Sequence, residues 1–119
     1  MNLLPESFLA WREQRFVARV SRELLKLHSV VSSRQPELKG RDLYRQILVD
    51  RMGDDATGIE TILQGAELTF TQWPVSRELK FADVVHYLAA SEFLATHPGS
   101  RWIHADMKQI VASRIPRDL

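Results

Sequence analysis

Three groups of side chains in this chain have the types and spacing to do chemistry. The first is a row of cations: within WREQRFVARVSRELLK, Arg12, Arg15, Arg19, Arg22 and Lys26 follow one another at steps of 3, 4, 3 and 4. At about 100° per residue those steps place all five along one side of one helix. A row like that can track phosphates or border a protein interface. The second group is Asp83, His86 and Glu92. Asp83 and His86 are three apart in DVVH and share a helix face, a spacing that suits a metal pair or a proton relay. The third is acidic: Asp50, Asp54, Asp55, Glu60 and Glu67 gather around DRMGDDATGIE.

Most chemistries then fall away. The chain has no cysteine, which excludes disulfides, thiolate metal sites, iron–sulfur clusters and a thiol nucleophile. It has no nucleophile elbow and no phosphate-cradling glycine loop. A di-iron bundle wants a Glu-x-x-His pair from each of two helices and a Glu from each of two more. Here a single loosely similar pair exists, with Asp in place of Glu. His97 and His104 flank a loop and bring no second ligand pair. The acidic group lacks the alternating oxygen ligands and closing Glu of a calcium loop, and carboxylates at a helix N-terminus are favoured by the helix dipole alone. The simpler expectation is that Asp83 and His86 pair with each other and that Glu92 meets an arginine of another helix. No catalytic residue, metal or cofactor is assigned. A metal or small-molecule enzyme using Asp83, His86 and Glu92 stands as the third-ranked alternative.

These residues must be positioned by helices, because the hydrophobic pattern has the helical period throughout and no hairpin or strand signal occurs. The first helix runs from about Glu6 to about Ser33, with Pro5 at its start and Leu9, Phe16, Val20, Leu24, Leu27 and Val31 on one face. SSRQPELKG ends it, since residues ahead of Pro36 resist the α conformation. A second helix covers about Arg41 to Met52, and Gly53 suits its termination in a positive-φ conformation. Asp54 or Asp55 can cap a third, about Ala56 to Trp73. Gly58 and Gly65 weaken that helix, and close approach of a neighbour is the natural compensation. FTQWPVSRELKF follows; Trp73 is expected to pin this loop to the core, the alternative being a recognition loop. The fourth helix, about Phe81 to Thr96, is apolar nearly all round and so reads as the central buried one. Ser100 can cap a fifth, about Arg101 to Arg114. The expected fold is one all-α domain over residues 1–119, a bundle of about five helices. A first helix of that length is ~42 Å long, more than the roughly 35 Å diameter of a compact chain this size, so it either kinks or packs its end on something else.

On the helical wheel, Leu4, Trp11, Ala18 and Leu25 form a second apolar stripe, and the cations lie between it and the core stripe. Net charge is +1, yet residues 1–45 hold nine Lys/Arg against five Asp/Glu while residues 46–119 hold seven against ten. A basic half and an acidic half can attract across two copies. The leading expectation is therefore a small cytoplasmic, non-catalytic interaction or regulatory protein, homodimeric through Trp11, Arg15, Arg19, Arg22 and Leu25. Nucleic-acid backbone binding by Arg12, Arg15, Arg19, Arg22 and Lys26 ranks second, because overall charge is near neutral and Glu13 and Glu23 dilute the row. No membrane partner is expected, since there is no signal-peptide pattern and no apolar run of membrane-spanning length.

Overall fold

Val17, Val20, Leu24 and Val31 repeat at helical spacing, and hiding such a stripe takes several partner elements. The computed structural model describes residues 6–100 and 104–119, with side chains for 11–100 and 107–119. In it the stripe is fully buried on α1 (Glu6–Arg34), one helix of 29 residues. Leu4, Pro5 and the side chain of Leu9 lie outside the described residues. Four helices follow: α2 (Gly40–Met52), α3 (Ala56–Phe70), α4 (Phe81–Thr96) and α5 (His104–Arg114). No strand occurs among the described residues, and no helix there is long and apolar enough to cross a membrane. α1 packs on α2, α4 and α5, and α4 touches all four other helices. The molecule measures 50 × 32 × 27 Å along its principal axes. The long axis holds an α1 of ~44 Å at 1.5 Å per residue, so its length is met by elongation of the whole bundle.

The helix ends follow their local chemistry. α1 stops two residues before Pro36. Gly53 closes α2 at φ +80°, a region that a side chain disfavours, and its N–H donates to the Val49 carbonyl at 2.8 Å. Of the two cap candidates, Asp55 is the one that accepts from the Gly58 N–H, at 3.0 Å. α3 is shorter than expected. Thr71 donates its hydroxyl to the Glu67 carbonyl at 2.6 Å, and the Arg77 N–H returns to the Thr71 carbonyl at 2.9 Å. The chain therefore turns away before Trp73, which Pro74 already biases against helix. Trp73 is 81% exposed, so it neither joins the α3 stripe nor pins the loop.

α4 is the central helix, with Phe81, Val84, Val85, Leu88, Ala89 and Phe93 buried. Its approach to α3 depends on Gly65, because a Cβ there would enter the Tyr87 ring. Gly58 has a different role: a Cβ there would meet the Asp55 carboxylate that caps it. Charged groups are answered across helices, with Arg51 of α2 bridging Glu23 of α1 at 3.2 Å and Glu92 of α4 at 2.9 Å.

Two outcomes follow from this packing. Gly65→Ala should destabilise the protein by about 1–2 kcal/mol in urea denaturation, because overpacking against Tyr87 outweighs the gain in helix propensity. In a Tyr87→Ala background the same substitution should become neutral or stabilising, and an unchanged cost there would mean Tyr87 is not the obstacle. The second concerns His28, whose ring lies 4.7 Å from that of Phe81 and whose burial holds its pKa below 6.5. A folded pKa below the unfolded one gives stability that is present above 6.5 and lost as pH falls through the folded value. Stability should thus decline between pH 7.5 and 5.5, and His28→Gln should flatten that decline. Asp50, lowered by Gln46 and Arg34, and Glu60, lowered by Arg41 and Arg45, contribute in the same direction only at more acid pH.

Candidate functional site

The wheel places the α1 cations beside the core stripe, and aromatic rings hold three of them there. The Arg15 guanidinium lies over Trp11 at 4.9 Å, Arg19 over Phe16 at 4.8 Å and Arg12 over Phe93 at 5.7 Å. Arg12 is half-buried and donates to Ser100 Oγ at 3.2 Å, which occupies the expected cap residue of α5; Arg101 to Ile103 lie outside the described residues. Arg15, Arg19, Arg22 and Lys26 are exposed. A guanidinium lying on a ring keeps its edge donors available for a planar anion. Arg12, Arg15, Arg19 and Arg22 line one side of a groove of ≈ 640 Å³ between α1 and the ends of α4 and α5. Trp11, Phe16 and Ala18 form its apolar part, with His97 from the end of α4 and Arg114 from α5. The His97 ring is stacked on Phe93 at 4.3 Å.

What distinguishes this face is the lack of charge compensation. Elsewhere most described arginines are spent on carboxylates, Arg117 being the exception. Arg34 holds Asp50 at 3.0 Å, Arg41 holds Glu60 and Glu67, Arg45 holds Glu60 at 3.0 Å and Asp42 at 3.2 Å, and Arg51 holds Glu23 and Glu92. Donating to the Glu60 and Glu67 carboxylates raises the pKa of Arg41 further. Among the described residues, Arg12, Arg15, Arg19, Arg22, Lys26 and Arg114 have no carboxylate within ion-pair distance. The expected dilution of the row does not occur, because Glu13 is turned inward, 2% exposed, and Glu23 is engaged by Arg51. The second apolar stripe divides. Leu25 packs against the core and Ala18 is half-buried, whereas Trp11 is 49% exposed.

Asp83, His86 and Glu92 are not brought together. Asp83 is taken by both terminal nitrogens of Arg77, at 2.7 and 2.8 Å, and accepts the Lys80 N–H at 2.9 Å. His86 lies against the Phe70 ring at 4.9 Å. The expected Asp83–His86 pair is thus replaced by an Asp83–Arg77 pair, since a bidentate arginine satisfies a buried carboxylate better than one imidazole. Glu92 does meet an arginine of another helix, Arg51. No group of three or more His, Asp or Glu among the described residues has metal-binding geometry. In the acidic group Asp50, Glu60 and Glu67 face arginines and Asp55 caps α3.

Sequence reasoning missed two features. Arg114 joins the α1 groove from the last turn of α5, a proximity no spacing encodes. The 71–80 loop is anchored at its base by Arg77, yet it leaves Trp73 and Val75 exposed at 81% and 72%. Pro74, directly after Trp73, was the local signal for that turn. No family model matches the chain, and no curated protein or solved structure is significantly similar to it.

Proposed function

We propose that this protein is a non-catalytic interaction module that binds an acidic protein segment along the arginine face of α1. One observation carries the reading: the α1 cations and Arg114 converge on a groove without carboxylate partners among the described residues, while Arg34, Arg41, Arg45, Arg51 and Arg77 are all paired. Successive cations at i, i+3 and i, i+4 stand about 5–6 Å apart, inside the ~8 Å screening length, so they repel one another by a few tenths of a kcal/mol per pair. A carboxylate-bearing partner relieves that repulsion and finds Trp11 and Phe16 as apolar contacts. Arginine and tryptophan are the residue types that dominate binding hot spots.

Self-association is the second reading, favoured by the exposed Asp54–Asp55 turn, where Asp54 meets no Lys or Arg among the described residues. A two-fold contact of α1 on α1 alone would oppose two cation rows, so a dimer needs that acidic turn at the partner's groove. Either way the interface is electrostatic in approach and aromatic at its centre.

The reading is tested by fluorescence anisotropy with a labelled oligoglutamate peptide, run beside a single-stranded oligonucleotide of equal charge. Binding to oligoglutamate should weaken about tenfold or more between 50 and 200 mM salt. It should be lost in an Arg15→Glu, Arg19→Glu, Arg22→Glu variant and reduced in Trp11→Ala. Absence of low-salt binding, or no effect of the triple variant, overturns it. Preference for the oligonucleotide would place phosphate recognition first. Light scattering that gives a dimer in wild type and a monomer in Trp11→Glu with Leu25→Glu would place the second copy first.

A further inference from the structure

A separate cavity of ≈ 400 Å³ opens between the first turn of α4, the end of α3 and the last turns of α5, and it does not share a residue with the α1 groove. Its walls are mainly apolar: Phe70 of α3, Ala82 of α4, Val111 and Ala112 of α5, then Ile115 and Pro116. Val111 and Ile115 are buried to 2% and 3% exposure, so the inner wall belongs to the core, while Ala112 and Pro116 lie at its exposed edge. The polar lining is one-sided in charge. Among the described residues Asp83 is the one acidic side chain in it and is already neutralised by the bidentate Arg77; His86, lying against Phe70, and the terminal residue Leu119 complete the lining. Lys80, Lys108 and Arg117 remain, and none of them has a carboxylate within ion-pair distance among the described residues.

The geometry points to a binding site for a small organic carboxylate with an apolar body, seated against Phe70, Val111 and Ile115 with its charged end at Lys80, Lys108 and Arg117. The volume lies in the range of small-molecule sites, about 300–1,000 Å³. At roughly 30 Å³ per water-sized group it holds on the order of a dozen heavy atoms, which is the size of a medium-chain fatty acid or an aryl acid. Cations are disfavoured because, among the described side chains of the lining, the acidic one is committed to Arg77 and Lys80, Lys108 and Arg117 are positive. A nucleotide is disfavoured because its phosphates and ribose would desolvate against apolar walls with few donors. An amphipathic monoanion satisfies both halves of the lining at once. The charge-assisted contact at the cationic rim is the part that separates it from a neutral molecule of the same shape.

Decanoate is the probe, with decanol as its uncharged counterpart, followed by methyl and amide NMR shifts on the full chain. Decanoate should produce saturable shifts at Ala82, Val111 and Ile115 and bind about tenfold tighter than decanol, since one charge-assisted hydrogen bond corresponds to at least that factor. Ala112→Trp, at an exposed position on the wall, should fill the cavity and remove binding while the thermal transition stays in place. Lys108→Glu with Arg117→Glu should weaken decanoate about tenfold and leave decanol unchanged. Shifts that do not saturate, equal binding of decanol, retention of binding in Ala112→Trp, or shifts that map to Trp73 or Trp11 instead would each overturn the assignment. Because Arg15, Arg19 and Arg22 are remote in lining from this cavity, their triple variant should bind decanoate as wild type does, and a loss there would also count against it.

Discussion

Asp83 stands 8% exposed in the first turn of the most enclosed helix, and both nitrogens of the Arg77 fork reach it. A carboxylate at that depth has to be paired or protonated, and removing one partner of a buried pair costs about 3–5 kcal/mol. Arg77 is itself 37% exposed, so the cost here belongs at or below the low end of that range. The pair does more than satisfy a charge. Together with the Arg77 N–H bond to Thr71, it ties the end of α3 to the start of α4. The position of α4 then sets the Gly65–Tyr87 contact, the Phe81 contact with His28 and the bridge from Arg51 to Glu92. It also withdraws Asp83 from the cavity beside it, which leaves that lining cationic.

The same economy of charge shapes the outer face of α1. Arginines on α2 and at the end of α1 meet carboxylates supplied by α2, α3 and α4. The α1 carboxylates with described side chains are diverted, Glu13 inward and Glu23 to Arg51. A chain near neutrality can therefore carry one strongly basic groove, because compensation is local and not averaged over the surface. Trp11, Phe16 and Phe93 hold three guanidinium groups over their rings without supplying a counter-charge. Two exposed tryptophans, Trp11 in this groove and Trp73 on its anchored loop, are left uncovered by the described residues.

How much of this was legible varied with the range of the interaction. The span of α4 and the stop of α1 before Pro36 are local matters of periodicity and proline geometry, and they read off the sequence. So does Gly65 as a point of close approach, although nothing in the sequence names Tyr87 as the neighbour. The end of α3 was misjudged because Trp73 is apolar and keeps the helical period, while the termination is decided by Thr71 and by the returning Arg77. The Asp83–His86 pairing failed for a related reason. Spacing of three on a helix permits a contact, but a bidentate donor six residues upstream in a loop competes for the same oxygens.

By itself the sequence determined an all-α chain of five helices, a long first helix with a 3-4-3-4 cation row, and a fourth helix with too little polar surface to stand in water. Those properties depend on side-chain type at a fixed period, which a linear reading contains. Tertiary structure alone decided which charges cancel, which half of the Trp11–Leu25 stripe is covered, and which residues of α3, α4 and α5 enclose a cavity. These depend on distances between segments far apart in the chain. An arginine next to a carboxylate and one without differ only in what the fold brings within 4 Å.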